Sequence, residues 1–165
     1  MDLDEEFGHA EALAETGFWG RRGAGCVVYA RSTGRLLLAR RSCDVLEPGT
    51  WGTWGGAVEE GADAAACAAR ELEEETGCSR IVEMVPVYEF VDASSGFRYS
   101  NFLAVVDDEF VPKLNWENDG FAWVEQGEWP SPLHFGLADL IDNVPDLACA
   151  AAGSACGTCP SGNGR

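Results

Sequence analysis

Four glutamates crowd the end of a predicted helix in the middle of the chain. Glu71, Glu73, Glu74 and Glu75 follow Arg70 in the run RELEEE. Because Glu71, Glu74 and Glu75 are spaced i, i+3 and i+4, a helix gathers them on one side. Carboxylate oxygens grouped in this way suit hard divalent cations such as Mg²⁺ and Mn²⁺. The spacing therefore predicts a metal site, and the competing interpretation is a solvated acidic face.

The helix that carries these carboxylates has recognisable ends. Asp63 is a good N-cap, and Gly77 stands where the residue after a helix adopts a left-handed conformation. An apolar stripe with helical spacing predicts the face that packs closely on a sheet; it consists of Ala65, Ala68, Ala69 and Leu72. At about 100° per residue the three glutamates lie a quarter turn or more from this stripe. We therefore expect them to line a groove edge and not to point into the core.

Strand-like segments surround this helix. Apolar runs predict strands at residues 26–30, 35–40, 81–91, 97–106 and 120–124, and a short strand or extended loop at 51–54. Pro86 interrupts one of these runs, which favours an edge or bulged strand. A final helix is predicted to open at Ser131-Pro132, and its buried side consists of Leu133, Leu137, Leu140 and Ile141. Because strands and helices do not alternate regularly, the order of elements predicts an α+β fold on a mixed sheet.

Length and composition predict one folded domain with two appendages. The chain has 165 residues, enough to bury one substantial core. We expect residues 1–22 to form a partly helical extension that ends in a glycine-rich link at 20–25. Residues 23–147 form the predicted domain, and residues 148–165 a disordered tail of small residues. A zinc site in the tail is the alternative for Cys149, Cys156 and Cys159, but it lacks a fourth ligand.

The charge of the chain limits its partners. The formal net charge is -17, from 28 acidic and 11 basic residues. Such a surface repels the phosphate backbone, so we expect no stable nucleic-acid binding. No apolar run reaches the length that spans a membrane. The acidic start of the chain does not look like a secretory signal, and the seven cysteines follow no disulfide rhythm, so we expect a cytoplasmic protein with reduced thiols.

The glutamate helix and the loop before it match a longer pattern. That pattern is Gly, five residues, Glu, seven residues, Arg-Glu, an aliphatic residue, any residue, Glu-Glu, any residue, Gly and an aliphatic residue. The matching positions are Gly56, Arg70, Glu71, Leu72, Glu74, Glu75, Gly77 and Cys78. The pattern resembles the Nudix box of the Nudix hydrolases, and the segments PGTWGTWGG and WENDGFAWV are also similar to that family. The resemblance covers roughly residues 23–142.

One box position departs from the family. Ala62 stands where the family has a glutamate that supports the loop and its arginine. Glu59, Glu60 and Asp63 are close in sequence and are expected to replace part of that role. Ala62 is also the one feature that favours a binding or sensor module without catalysis, whereas the intact glutamate run argues for an enzyme.

The resemblance implies a fold and a metal site. The implied fold is an α/β/α sandwich around a mixed sheet. The implied ligands of one or more Mg²⁺ ions, with Mn²⁺ as the alternative, are Glu71, Glu74 and Glu75, joined by the Gly56 carbonyl. Glu74 or Glu71 is the implied general base, and this choice stays open. Arg70 is expected to orient the carboxylates; the alternative is an ordinary i,i+4 surface ion pair.

The resemblance also implies contacts with a substrate. One of Arg40 and Arg41 is expected to contact substrate phosphate, and Glu117 to act as an additional acidic ligand or base; a solvated role is the alternative for each. Three tryptophans could stack on a base or pack in the core: Trp51, Trp54 and Trp116. His9 and His134 receive no chemical role.

The expected activity is metal-dependent hydrolysis of a nucleoside diphosphate linked to another moiety. Nucleoside triphosphates, including damaged nucleotides, are the first substrate class. Nucleotide sugars or ADP-ribose come next. The partner is thus a small nucleotide derivative, and a homodimer is left open.

Overall fold

The computed structural model describes residues 22–152. They form seven strands and three helices, in the order β1 Arg22–Ala30, β2 Leu36–Arg41, β3 Trp51–Gly52, β4 Trp54–Ala57, α1 Ala64–Thr76, β5 Glu83–Val91, β6 Arg98–Val106, β7 Asn118–Val124, α2 Phe135–Asn143 and α3 Leu147–Ala151. None of these helices is long and apolar enough to cross a lipid bilayer. The expectations for residues 1–21, His9 among them, and for Cys156 and Cys159 fall outside the described residues.

The strands form a mixed sheet centred on β1. Along one edge β1 runs parallel to β6 over its whole length, from Arg22 opposite Arg98 to Ala30 opposite Val106. Along the other edge, β4 pairs antiparallel with the first half of β1 and β2 with the second half. Strand β5 closes one side against β6, and β3 and β7 pair with β2. The mixed sheet confirms the predicted α+β class.

Helices cover both faces of this sheet, as the α/β/α prediction requires. On one face, α1 buries Ala68 and Leu72 against residues such as Cys26 and Val28 of β1. On the other face, α2 and α3 pack onto the alternate side chains of the strands, and their fully buried residues are Leu137, Leu140 and Leu147. Alternation of side chains along each strand thus separates two apolar layers.

The sequence prediction of α1 is confirmed at both ends. The Asp63 carboxylate accepts a hydrogen bond from the Ala66 N–H at 3.0 Å, and Gly77 has φ 75°. The predicted groove-edge position of the glutamates is wrong for Glu75, which is only 3% exposed. Glu75 follows Leu72 by three residues and Ala68 by seven, so it shares their buried side of the helix.

Three other element predictions need correction. The link predicted at 20–25 is strand from Arg22 onward, because the Tyr99 ring covers the side-chain positions of Gly23 and Gly25 and replaces the missing side chains there. Helix α2 begins at Phe135 instead of Ser131, since the His134 side chain caps it. The disordered tail was predicted to begin at residue 148, but residues 148–151 belong to α3, because Leu147 anchors that helix in the core.

The other predictions are confirmed in outline. The hairpin of β1 and β2, the pairing of β5 with β6 and the irregularity after Pro86 are all present. Trp54 is a core residue whose indole N–H donates to the Leu37 carbonyl at 3.2 Å, which excludes a stacking role. Trp116 is 49% exposed.

Candidate active site

A cavity of about 330 Å³ opens where β4, β6, β7 and the start of α2 meet. Every strand and two helices contribute to its lining, because the sheet divides at this edge of β1 between β4 and β2. Four of the predicted site residues line it: Gly56, Glu75, Glu117 and Arg41. The cavity is therefore the place where chain segments far apart in sequence bring their polar groups together.

Glu71 reaches this region from α1 and packs on the glycine loop. A Cβ atom added to Gly56 would lie 2.7 Å from the Glu71 Cδ and 2.9 Å from both carboxylate oxygens. Only 17% of the Glu71 side chain is exposed. The glycine is thus required for the carboxylate to approach the backbone of β4, which explains a glycine at this position of the box.

Glu75 is a buried carboxylate with one oxygen bonded and one not. The Asn118 side-chain amide donates to Oε1 at 3.1 Å. Oε2 is also buried, and no residue among 22–152 gives it a hydrogen bond. Burial raises the pKa of Glu75 well above its usual value, and the neighbouring carboxylates of Glu117 and Glu71 raise it further, while the Asn118 amide opposes them.

Glu74 and Arg70 lie apart from this group. Their side chains are 58% and 57% exposed, and neither lines the cavity. Arg70 makes two long ion pairs, 3.7 Å to Glu71 and 3.9 Å to Glu74. Accordingly, no three His, Cys, Asp or Glu side chains in the described chain already stand in the arrangement of a closed metal site.

The donor set still fits a hard divalent cation. Glu71, Glu75 and Glu117 are neighbouring carboxylates, and Glu71 packs directly against Gly56. Oxygen ligands of this kind are those that Mg²⁺ and Mn²⁺ take. The unbonded Oε2 of Glu75 is the observation that tests the fit, since a buried carboxylate oxygen is costly unless a cation or donor satisfies it.

The two predicted arginines separate at the end of β2. Arg41 lines the cavity, and its Nε donates to the Leu46 carbonyl at 2.6 Å. Burial lowers the pKa of Arg41, although nearby acidic groups oppose this, and the guanidinium remains charged. Arg40 instead points to the exposed Asp119, with an ion pair of 3.2 Å. A shift of register between the two residues sets them on different sides.

Sequence reasoning missed several polar residues of the cavity, among them Tyr99, Asn101 and His134. Tyr99 shares a hydrogen bond of 3.1 Å with the Thr53 hydroxyl, and Asn101 is 3% exposed. His134 caps α2 by accepting from the Gly136 N–H at 3.1 Å, so its other ring nitrogen carries the proton. Burial, and then Arg41, lower the pKa of His134 to about 4, which keeps the ring neutral. Alternation along the 97–106 strand was the only signal for Tyr99 and Asn101.

A second, smaller cavity of about 200 Å³ lies at Ala62, the box position at which the family has a glutamate. It lies between the loop and α1, and its other residues include Glu59, Cys67 and Arg70. The Arg22 guanidinium donates to the Ala62 carbonyl at 3.4 Å. Of the three acidic residues expected to compensate, Asp63 caps the helix, Glu59 lines this cavity, and Glu60 is exposed and does not.

Known structures share this architecture at low sequence identity. The MutT NUDIX hydrolase of Burkholderia pseudomallei is 23% identical, with 75% of this chain and 97% of that chain covered and a TM-score of 0.59. The M. smegmatis Nudix hydrolase RenU is 21% identical, with 80% and 88% covered and a TM-score of 0.64. The NUDIX domain of Shewanella oneidensis NrtR, solved with ADP ribose, is 21% identical, with 83% and 96% covered and a TM-score of 0.58. No curated protein sequence matches the chain.

The sequence model of the NUDIX domain matches residues 19–144, most of the chain. The protein belongs to the NUDIX domain family. This confirms the resemblance drawn from the box and the Nudix-like fold, and it makes the protein a hydrolase that acts on pyrophosphate bonds.

Proposed function

We propose that the protein is a divalent-metal-dependent pyrophosphohydrolase that cleaves a nucleoside diphosphate linked to another moiety. The observation that carries the proposal is the buried Glu75 carboxylate, with one oxygen unbonded, which lines the cavity together with Glu117 and lies near Glu71. Three carboxylates placed together repel one another, and a bound cation would remove that repulsion.

In this proposal Glu71 and Glu75 hold the cation together with the Gly56 carbonyl. Glu74 takes a more distant part, because its exposed side chain must rotate to reach the group. When bound, the cation supplies positive charge that neutralises the diphosphate and increases the acidity of water at phosphorus. Arg70 orients Glu71 from the solvent side through its 3.7 Å contact.

The reaction is an in-line hydrolysis supported by the chain's own groups. Water attacks one phosphorus, its proton passes to a carboxylate, and the bridging P–O bond breaks so that the leaving phosphate takes the electron pair. Glu117 is our candidate for the proton acceptor, because it lines the cavity while Glu74 does not. Arg41 is the proposed phosphate contact, since its guanidinium lies at the cavity and that of Arg40 is paired with Asp119.

Nucleoside triphosphates, including damaged ones, remain the first substrate class of the proposal. ADP-ribose and nucleotide sugars are the second class, and the NrtR NUDIX domain solved with ADP ribose is the reason to test them as substrates. Cys26, Cys43, Cys67 and Cys78 are free, but Cys149 is disulfide-bonded, so the prediction of reduced thiols is wrong for Cys149 and the cysteines do not argue for the reducing cytoplasm.

The test is a panel of these substrates assayed with Mg²⁺, with Mn²⁺ and with EDTA. Glu75→Gln removes a proposed ligand, and Glu73→Gln is its matched control, because Glu73 is an exposed glutamate of the same helix. We expect metal-dependent turnover that Glu75→Gln abolishes and Glu73→Gln keeps. Equal turnover in the two variants would remove Glu75 from the site, and no turnover on any substrate would contradict the proposed activity.

A binding module without catalysis is the second candidate, and Ala62 is the feature that favours it. The box glutamate that would face Arg70 is absent, and the space it leaves is the smaller cavity. Tight nucleotide binding without metal-dependent turnover in the same panel would support this candidate.

A further inference from the structure

Asn118 is a buried residue whose side-chain amide contacts the carboxylate of Glu75. It is the first residue of β7 and is 6% exposed. Its N–H group donates to Oε1 of Glu75 at 3.1 Å, across 43 residues of sequence. The hydrogen bond joins the start of a strand to α1, the helix that carries the carboxylates. Asn118 therefore restrains a side chain that we propose as a ligand of the cation.

A β-bulge sets the position of Asn118 in β7. The pairing of β2 with β7 is regular as far as Arg40, which lies opposite Gly120. The next residue of β2, Arg41, then lies opposite Asn118. Asp119 is thus an extra residue in β7, and an extra residue of this kind re-aims the side chains that lie beyond it.

The bulge decides which face of the sheet Asn118 occupies. Leu37 and Ala39 of β2 belong to the apolar layer under α1, and Arg41 shares their side because side chains alternate along a strand. Asn118 lies opposite Arg41 and so faces α1 as well. In a regular strand Asn118 would share the side of Val124, which packs in the layer of α2 and α3. The contact with Glu75 depends on the extra residue.

Hydrogen bonds to the preceding residues hold this strand end in place. The Ser42 N–H donates to the Glu117 carbonyl at 2.9 Å, and the Ser42 hydroxyl donates to the Trp116 carbonyl at 2.7 Å. The Asn115 side chain accepts from the Glu117 N–H at 3.0 Å. The backbone that presents Asn118 is therefore fixed on the side of β2, and such support is what a precise ligand geometry requires.

The amide of Asn118 binds one carboxylate oxygen of Glu75 and leaves the other without a donor. Oε1 accepts from Asn118, whereas the buried Oε2 receives no hydrogen bond from residues 22–152. A hydrogen bond to a charged group is stronger than one between neutral groups, so the carboxylate turns only at the cost of that bond. Asn118 thus selects the oxygen of Glu75 that stays available.

We propose that Asn118 is a positioning residue, which holds Glu75 by Oε1 so that Oε2 is the oxygen that binds the divalent cation. The inference rests on the proposed function, which supplies the cation. Because the amide gives orientation and no charge, its loss should weaken cation binding more than it slows the chemical step. Partners that orient metal ligands in this way typically change metal affinity by about 10- to 100-fold.

The test measures Mn²⁺ binding to the full chain by calorimetry without substrate, so that it does not depend on turnover. Asn118→Leu keeps the approximate size of the side chain and removes the donor. We expect the Kd for Mn²⁺ to rise about 10- to 100-fold, and kcat at saturating Mn²⁺ to fall by a smaller factor. The control Asn143→Leu, at an exposed asparagine of α2, should leave both unchanged.

A double-mutant cycle separates positioning from general damage to the fold. In a Glu75→Gln chain the carboxylate is already absent, so adding Asn118→Leu should cost none of the residual Mn²⁺ affinity. A residue that acts only through the fold would weaken binding by the same factor in both backgrounds. If Asn118→Leu does not fold, Asn118→Ser makes the same comparison, because its hydroxyl ends one bond short of the amide nitrogen.

Two results would overturn the inference: an unchanged Mn²⁺ affinity in the Asn118 variant, or equal losses in the wild-type and Glu75→Gln backgrounds. Both would leave the metal-dependent turnover of the wild-type chain untouched. Absence of turnover on every substrate, in contrast, would contradict the proposed function without altering this binding comparison. A wild-type chain that binds no Mn²⁺ would contradict both.

Discussion

Replacing Glu75 with glutamine should make the protein more stable and nearly inactive. The substitution keeps the shape of the side chain and the hydrogen bond that Asn118 gives to Oε1. It removes a buried negative charge that stands beside Glu117 and Glu71, and the new amide can donate to the Glu117 carboxylate. The two effects have one cause, because the charge that the fold disfavours is the charge that a cation needs.

The size of both effects follows from the burial of Glu75. Replacing charge repulsion by a hydrogen bond to a carboxylate is worth about 1–3 kcal/mol in the free energy of unfolding. For a chain of this length that corresponds to a rise in Tm of about 2–10 °C. Loss of a metal ligand removes several kcal/mol of transition-state stabilisation, so kcat/KM should fall by at least about 100-fold.

The gain in stability should depend on pH in a defined direction. The pKa of Glu75 is raised in the folded state, so the contribution of Glu75 to the free energy of unfolding is fully present below its unfolded pKa. That contribution is lost as the pH rises through the folded pKa. The difference between Glu75→Gln and wild type should therefore be small near pH 4 and largest in neutral to alkaline solution.

The assay is thermal unfolding in EDTA across this pH range, beside initial rates with Mg²⁺. The exposed Glu73→Gln removes the same charge and should show neither the stabilisation nor the loss of activity. A Glu75→Gln chain that is less stable than wild type, or a difference that does not vary with pH, would refute the reasoning.

Three further predictions concern other parts of the site. Gly56→Ala places a Cβ atom 2.7 Å from the Glu71 Cδ, so it should displace that carboxylate and reduce kcat/KM about 10- to 100-fold, with less than about 1 kcal/mol change in unfolding free energy. The pKa of His134 is lowered to about 4, so the stability it contributes above its unfolded pKa of about 6.5 should be lost as the pH falls toward 4, by about 3 kcal/mol in all, as pH-dependent unfolding would measure. Ala62→Glu should fill the smaller cavity, pair with Arg70, and raise kcat/KM about 2- to 10-fold in Mg²⁺ assays.

Matched variants separate these effects from general damage. Gly55→Ala would bring a Cβ within 2.6 Å of the Gly25 backbone, so it should destabilise the fold, unlike Gly56→Ala. His134→Asn keeps a capping side chain and should lose the pH dependence between 6.5 and 4; a slope equal to that of wild type would contradict the assignment. Ala62→Gln fills the same space without charge, and an equal gain from it would show that an ion pair is not the cause.

The sequence predicted the parts of the site that depend on local spacing. The helix, its Asp63 and Gly77 caps and the membership in a hydrolase family followed from the box, and the structure and the comparisons confirm them. The same spacing did not predict the positions of the carboxylates correctly. It placed Glu71, Glu74 and Glu75 together on one side of the helix, whereas Glu75 is buried and Glu74 is exposed. The packing of α1 on β1 decides which side of the helix is covered.

What the sequence by itself determined is thus a capped helix rich in carboxylates and the class of chemistry that such a helix serves. The tertiary structure alone decided that Arg41 and not Arg40 reaches the cavity, and that Tyr99, Asn101 and His134 belong to it. Helix caps and i,i+4 neighbours are fixed within a few residues of chain. The cavity instead depends on the parallel register of β1 with β6, which places Gly25 opposite Asn101 across 76 residues of sequence, and no short-range pattern records that pairing.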